Sequence, residues 1–258
     1  MIFIQPSISP IALSFGFVDI RWYSLAYIFT FIIGSIIIKK LNKRSYNHLS
    51  EKQIDSFFIW AVIGVIIGGR VGYVLFYQTN LILLEPWYVL KIWNGGMSFH
   101  GGLIGMIISI YLFSIKNNVS FFYISDLVSI IAPVGLFFGR ISNFINTELY
   151  GRITDFQFAI IYPSIDNEPR HPSQLYEAFF EGIILFIILF VYFSKNIKKN
   201  KVGIISSFFL IFYSLFRFLI EYTREPDFHL GLFYNYLTMG QLLCIPLFFF
   251  GLVIFLRK

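Results

Sequence analysis

Long apolar runs broken by short charged stretches recur along the whole chain. Runs of about 20 mainly apolar residues can cross about 30 Å of hydrocarbon as helix. Seven such runs fall at approximately 18 to 38, 56 to 77, 97 to 115, 121 to 145, 176 to 194, 202 to 222 and 238 to 256. The pattern predicts an all-α polytopic membrane protein of about seven transmembrane helices. No repeat, low-complexity tract or linker divides it, so a single domain over residues 1–258 is expected. The segment 146–173 carries Gly151, Pro163, Pro169 and Pro172 and a short alternating stretch from Phe156 to Tyr162. It is too polar to span and is expected to form a small extracytoplasmic cap. The chain reaches its first charge only at Asp19, without a cationic start, so no cleavable signal peptide is expected.

Composition agrees with that pattern. Hydrophobic residues make up 57% of the 258 and charged residues only 13%, about half the usual share of a soluble domain. So few charges cannot cover a water-facing surface, and lipid must be the outer solvent. The lone Cys244 lies in an apolar run, which leaves no disulfide framework and no cysteine-based metal site.

The net charge of +6 is informative only by its placement. Lys39, Lys40, Lys43, Arg44 and Lys52, then Lys116, then Lys195, Lys198, Lys199 and Lys201, then Arg257 and Lys258 occupy one alternating set of loops. The opposite set holds only Lys91, Arg152, Arg170 and Arg224. The positive-inside rule therefore places the N-terminus outside and the C-terminus in the cytoplasm, as an odd number of spans requires.

Arg21, Arg70, Arg140 and Arg217 fall in or at the edges of spans. A charge at the bilayer centre costs about 2.5–3.5 kcal/mol or more, so such a residue faces a partner or a wet cavity unless it snorkels from a helix end. Arg140 and Asn143 are three apart and share a helical face, and a fixed guanidinium can grip a phosphate bidentately; pairing of Arg140 with Glu148 is the blander reading. Tyr213, Arg217 and Glu221 recur every four residues as one polar stripe that should face inward, although an Arg217–Glu221 pair could be structural alone. His100 sits in Phe99-His100-Gly101-Gly102, where it is either a candidate base or a helix-packing histidine. Arg21 is expected to snorkel and Arg70 to be structural. Glu177 and Glu181 share a face and read as helix support. No HExxH, nucleotide-binding loop, zinc-ligand cluster or GxSxG elbow is present, which removes the common metalloprotease, ATPase and serine hydrolase routes.

Taken in order, Phe99 to Gly105, Gly139 to Gly151, Arg170 to Glu177 and Arg217 to Glu221 resemble the signature segments of the prolipoprotein diacylglyceryl transferase family. The likeness extends through Trp22-Tyr23, Gly68 to Tyr77 and Met239-Gly240-Gln241. Thr147 departs from it, since many members carry glycine there. The resemblance implies transfer of a diacylglyceryl group from phosphatidylglycerol to the lipobox cysteine thiol of preprolipoproteins, with release of glycerol 1-phosphate, in the bacterial inner membrane. It implies no metal, soluble cofactor or nucleic-acid partner. Arg140 and Arg217 match the family's headgroup-binding arginines and His100 its proposed base. Tyr23, Asn143, Glu148, Gly151, Tyr213 and Glu221 match other positions of functional weight. Glu221 is expected to orient Arg217 and Glu148 to orient Arg140, while Tyr23 or Tyr213 remains an alternative base. Apart from the likeness, a small transporter or lipid-binding protein would suit intramembrane Arg and Glu residues. A transporter commonly shows an internal repeat, and an isoprenoid-phosphate transferase needs aspartate clusters for magnesium; neither is found.

Overall fold

A computed structural model describes residues 3–16, 19–45, 49–79, 84–196, 201–226, 233 and 236–257. Among the described residues, seven helices are long and apolar enough to cross a membrane: α1 (Trp22–Arg44), α2 (Glu51–Tyr77), α3 (Phe99–Asn117), α4 (Phe121–Ile145), α5 (Ser173–Asn196), α6 (Ile204–Ile220, continued by a 3₁₀ turn to Thr223) and α7 (Met239–Leu256). All seven expected spans are present, and the largest departures are at ends where polar residues continue a helix. α1 runs on through its lysines to Arg44. α2 begins at Glu51 because Ser50 and Gln53 close a capping box around its first turn.

The chain forms two compact units, one of Met1–Ile37 with Asp126–Lys258 and the other of Ile38–Ser125. In the second unit, α2 and α3 meet through glycines. A Cβ at Gly68 would run into the Gly101 carbonyl oxygen, and one at Gly64 would sit 2.6 Å from the Gly105 oxygen. Gly64, Gly68 and Gly72 on one helix and Gly101 and Gly105 on the other thus recur every four residues, the small-residue seam that lets helices pack without a hydrophobic drive between them. Arg70 is buried beside this seam. Its guanidinium donates to the carbonyls of Tyr88 at 2.9 Å and Val89 at 3.3 Å, and to Gly95, and lies 4.9 Å from the Tyr88 ring centroid. These bonds fix the turns leading into α3, in agreement with the structural role expected for it.

In the first unit, α1 and α4 touch where the Thr30 side chain lies 3.1 Å from the position of a Cβ at Gly135, with Phe29 and Phe138 rings 5.8 Å apart. Asp126, near the start of α4, accepts from the Gly203 amide at 2.7 Å and the Ser206 amide at 2.8 Å. A carboxylate at that helix start satisfies amides that have no partner within α6.

Two small sheets supplement the helices. β1 (Phe3–Ile4) pairs in parallel with β4 (Ile160–Ile161), which pairs antiparallel with β5 (Pro169–Arg170); β2 (Ile11–Ser14) pairs antiparallel with β3 (Asp19–Arg21). The alternating stretch 156–162 contributes β4, but its pairing with β1 joins residues more than 150 apart, which no local pattern carries. Arg21 is exposed in β3, immediately before α1.

Candidate functional site

The site is built in the first unit, where α4, α5 and α6 bring arginines and carboxylates together. Gly182 on α5 has no room for a side chain, since a Cβ there would lie 2.7 Å from the Phe137 Cβ on α4. That close approach lets two fully buried glutamates of α5 reach the arginine one turn further along α4. Glu177 Oε2 lies 3.0 Å from Arg140 Nε, and Glu181 Oε2 lies 3.6 Å from Arg140 Nη2. The other oxygen of Glu177 accepts a hydrogen bond from Arg217 Nη1. Glu177 therefore bridges the two arginines, and neither it nor Glu181 exposes any side-chain surface.

Arg217 is also paired to Glu221 at 2.6 Å, the expected i,i+4 contact. Glu221 is fixed from a third side, because Thr238 Oγ1 donates to its Oε1 at 2.9 Å. Gly240 leaves space for that carboxylate, as a Cβ there would lie 2.8 Å from Oε1. Tyr213 stands one turn before Arg217, stacked on Phe209 at 5.6 Å between centroids.

A second cluster adjoins Arg140. Its Nη1 donates to Asn143 Oδ1 at 3.4 Å, confirming the shared face. With Oδ1 so used, the Asn143 amide group donates to the Tyr23 hydroxyl and to Glu148 Oε2 at 3.1 Å, while Tyr23 donates to the same Glu148 oxygen. The expected pairing of Glu148 with Arg140 is replaced: Arg140 takes its carboxylates from α5, and Glu148 holds Tyr23 and Asn143. The reason is local. α4 ends at Ile145 and the chain turns through two left-handed residues, Thr147 and Leu149, both at φ 57°. Such a conformation costs a non-glycine residue about 1–2 kcal/mol. Here Thr147 donates to Gln5 Oε1 at 3.0 Å, and the turn is tied to α5 by Ser173 Oγ to Leu149 O at 2.8 Å and Gln174 Nε2 to Glu148 O at 2.8 Å.

Gly151 has a positional reason to be glycine. Its amide donates to His171 O at 3.1 Å, and a Cβ would collide with that oxygen and lie 2.7 Å from Thr223 O. It thus binds the segment after α4 to the end of α6, close to Glu221. The same neck holds Arg170, which donates to Gly151 O at 3.1 Å and pairs with Asp166 at 2.6 Å. The Arg170 guanidinium holds the Asp166 carboxyl below the usual carboxylate range, and partial burial holds the His171 imidazole below its ordinary value.

Tyr23, Arg140, Asn143, Glu148, Arg217 and Glu221 are therefore brought together. His100 belongs to the other unit, where it is exposed on the first turn of α3. The sequence reads Glu177 and Glu181 as helix support, whereas the structure makes them the carboxylates that Arg140 and Arg217 require, four apart on one face. A guanidinium has five N–H donors; Arg140 directs Nε at Glu177, Nη1 at Asn143 and Nη2 at Glu181, and the second hydrogen on each Nη is left over. A pre-oriented guanidinium with donors to spare is suited to an anion.

A multi-pass membrane protein whose charged groups converge in one buried cluster is the class these features define. Residues 10–257 match the family described as prolipoprotein diacylglyceryl transferase, and the chain belongs to that family. It is 48% identical over 248 residues, 96% of each chain, to the phosphatidylglycerol–prolipoprotein diacylglyceryl transferase of Rickettsia typhi. Enzymes of the same name from Rickettsia canadensis and Rickettsia felis are 47% identical over 248 residues (96% of each chain) and 46% identical over 246 residues (95% of each chain).

Proposed function

We propose that this protein transfers the diacylglyceryl group of phosphatidylglycerol to the lipobox cysteine thiol of preprolipoproteins, the first step of bacterial lipoprotein maturation, at the outer side of the inner membrane. The observation that carries the reading is the pair of guanidiniums held by the shared Glu177, Arg217 buried and Arg140 partly exposed, with Nη hydrogens of Arg140 left over beyond Asn143 and Glu181. Displacement of a phosphate ester builds negative charge on the departing oxygen, and pre-oriented donors in a water-poor site stabilise that charge without reorganising. Arg140 and Arg217 hold the lipid phosphate, Glu177 and Glu221 keep the guanidiniums in place, and the Tyr23, Asn143 and Glu148 cluster fixes the face of Arg140. His100 takes the thiol proton, since the thiolate is the nucleophile and a neutral imidazole nitrogen can accept that proton. The basic loops between helices face the cytoplasm, which places the 146–173 segment outside.

The test is to incubate purified protein with phosphatidylglycerol and a lipobox peptide, following peptide mass and glycerol phosphate release, with a Cys→Ser peptide as control. Thiol-dependent gain of a diacylglyceryl mass with matched glycerol phosphate is expected. Arg140→Ala should insert normally and lose transfer; normal turnover by that variant would remove the phosphate clamp. Absence of transfer by folded wild-type protein would favour a lipid-binding or transport role.

A further inference from the structure

One buried ionisable group has no part in gripping the headgroup. Glu181 exposes no side-chain surface, and neither carboxylate oxygen has a hydrogen-bond partner among the described residues. It is nonetheless aimed at Arg140, 3.6 Å from Nη2. Arg140, Glu221 and Arg224 act on it electrostatically, as it does on Tyr213 and Cys244; Glu177 lies one turn before it and bridges to Arg217. Fully ionised, the three arginines 140, 217 and 224 and the four glutamates 148, 177, 181 and 221 sum to −1. A phosphodiester entering this cluster adds one negative charge where desolvated charge is costly. One proton offsets that added charge, and among the four glutamates Glu181 is the one with no hydrogen bond and the longest ion pair.

We propose that Glu181 takes up a proton as the phosphatidylglycerol headgroup binds and delivers it to the departing phosphate. The inference rests on the transferase reading above. In the step it describes, the thiol first gives its proton to the base. The thiolate sulfur then forms a bond to the glyceryl carbon while the bond from that carbon to the phosphate oxygen breaks. The electron pair goes to the oxygen, which receives the Glu181 proton, so glycerol phosphate departs as a monoanion. The proton the thiol released balances the one that leaves with the phosphate, so no other reactant is consumed. A phosphate monoester has its second pKa near 6, so a carboxylic acid and the leaving group are matched closely enough for transfer.

The experiment is calorimetric titration of the purified protein with phosphatidylglycerol nanodiscs, peptide absent, in buffers of different ionisation heat between pH 6 and 9. Wild-type protein should take up a number of protons per lipid that approaches about one at its maximum. Glu181→Gln, neutral at every pH, should bind lipid with no such uptake and with an affinity that no longer weakens as pH rises. In the transfer assay its kcat should fall about 100-fold with KM for lipid near the low-pH wild-type value. Glu181→Asp, which keeps an acid, should regain proton uptake and guards against a folding defect in the amide variant. Unchanged uptake in Glu181→Gln, or an equal loss of kcat in the Asp and Gln variants, would overturn the proposal while leaving the transferase reading intact. Failure of wild-type protein to bind or turn over the lipid would overturn both.

Discussion

Glu177→Gln isolates the bridge between the two arginines with little change of shape. The side chain is wholly buried, with one oxygen 3.0 Å from Arg140 Nε and the other accepting from Arg217. An amide keeps one acceptor but turns an NH₂ group toward a guanidinium, so one contact becomes donor against donor. Removing one partner of a buried ion pair costs about 3–5 kcal/mol. Arg140 retains Glu181 and Arg217 retains Glu221, which argues for the lower end, about 3 kcal/mol. At about 2–4 °C per kcal/mol for a chain of this size, the midpoint of thermal unfolding in detergent should fall by about 6–12 °C. Glu85→Gln is the control. Its pair with Lys91 is half-exposed, worth less than about 1 kcal/mol, and its loss should shift the midpoint by less than about 4 °C. Transfer should fall about 100-fold in Glu177→Gln, because a guanidinium misplaced by about 1 Å loses its alignment with the phosphate. Equal midpoints in the two variants, together with normal turnover by Glu177→Gln, would refute the bridge as an organising element.

Three further outcomes are expected. His100→Gln should lower kcat by about 10²–10⁴-fold if the imidazole takes the thiol proton, and near-normal transfer would return the base assignment to Tyr23 or Tyr213. Gly68→Leu should prevent close packing of α2 and α3 and reduce folded yield in the membrane, whereas Gly102→Ala, whose added Cβ would meet Val65 at 3.6 Å, should be tolerated; equal yields would mean that the glycine seam is dispensable. The imidazole of His171 is held below its ordinary value by burial, so the folded state binds fewer protons there than the unfolded chain. Stability from this group is present above about pH 6.5 and is lost as pH falls through the lower folded value; exchange of the Gly151 amide, bonded to His171 O, should accelerate across that window and should do so less in His171→Gln.

What could be read from the sequence follows the range of each physical signal. The seven spans were legible because lipid imposes a run of about 20 apolar residues, and the residues that moved their ends are polar ones, such as Lys39 to Arg44, that helix geometry admits beyond the apolar run. Contacts within one helix were legible for the same kind of reason. Arg140 with Asn143 and Arg217 with Glu221 lie three and four apart, and both meet as helical periodicity requires. Beyond one or two turns the signal fades. Glu148 was assigned to Arg140 because it lies eight residues along the chain, but a left-handed turn at Thr147 and Leu149 carries it to Tyr23, 125 residues earlier. Strand β1 finding β4 is a failure of the same type, a pairing that nothing local specifies.

Glu177 and Glu181 were legible in another sense, through charge rather than period. Two arginines in apolar helices cannot be desolvated alone, because an unpaired buried charge costs several kcal/mol. The chain therefore has to supply carboxylates for them, and besides Glu221, the partner already expected for Arg217, α5 carries Glu177 and Glu181 one turn apart. Counting charges across helices, instead of along each, would have moved them from support to site. The same count explains why the cluster can receive an anion at all. Its arginines are held by carboxylates that they share, with Glu177 serving both, and Arg140 still has Nη hydrogens beyond those turned to Asn143 and Glu181. Sharing a carboxylate keeps both guanidiniums fixed, and on the proposed function it leaves the phosphate of a lipid something to bind.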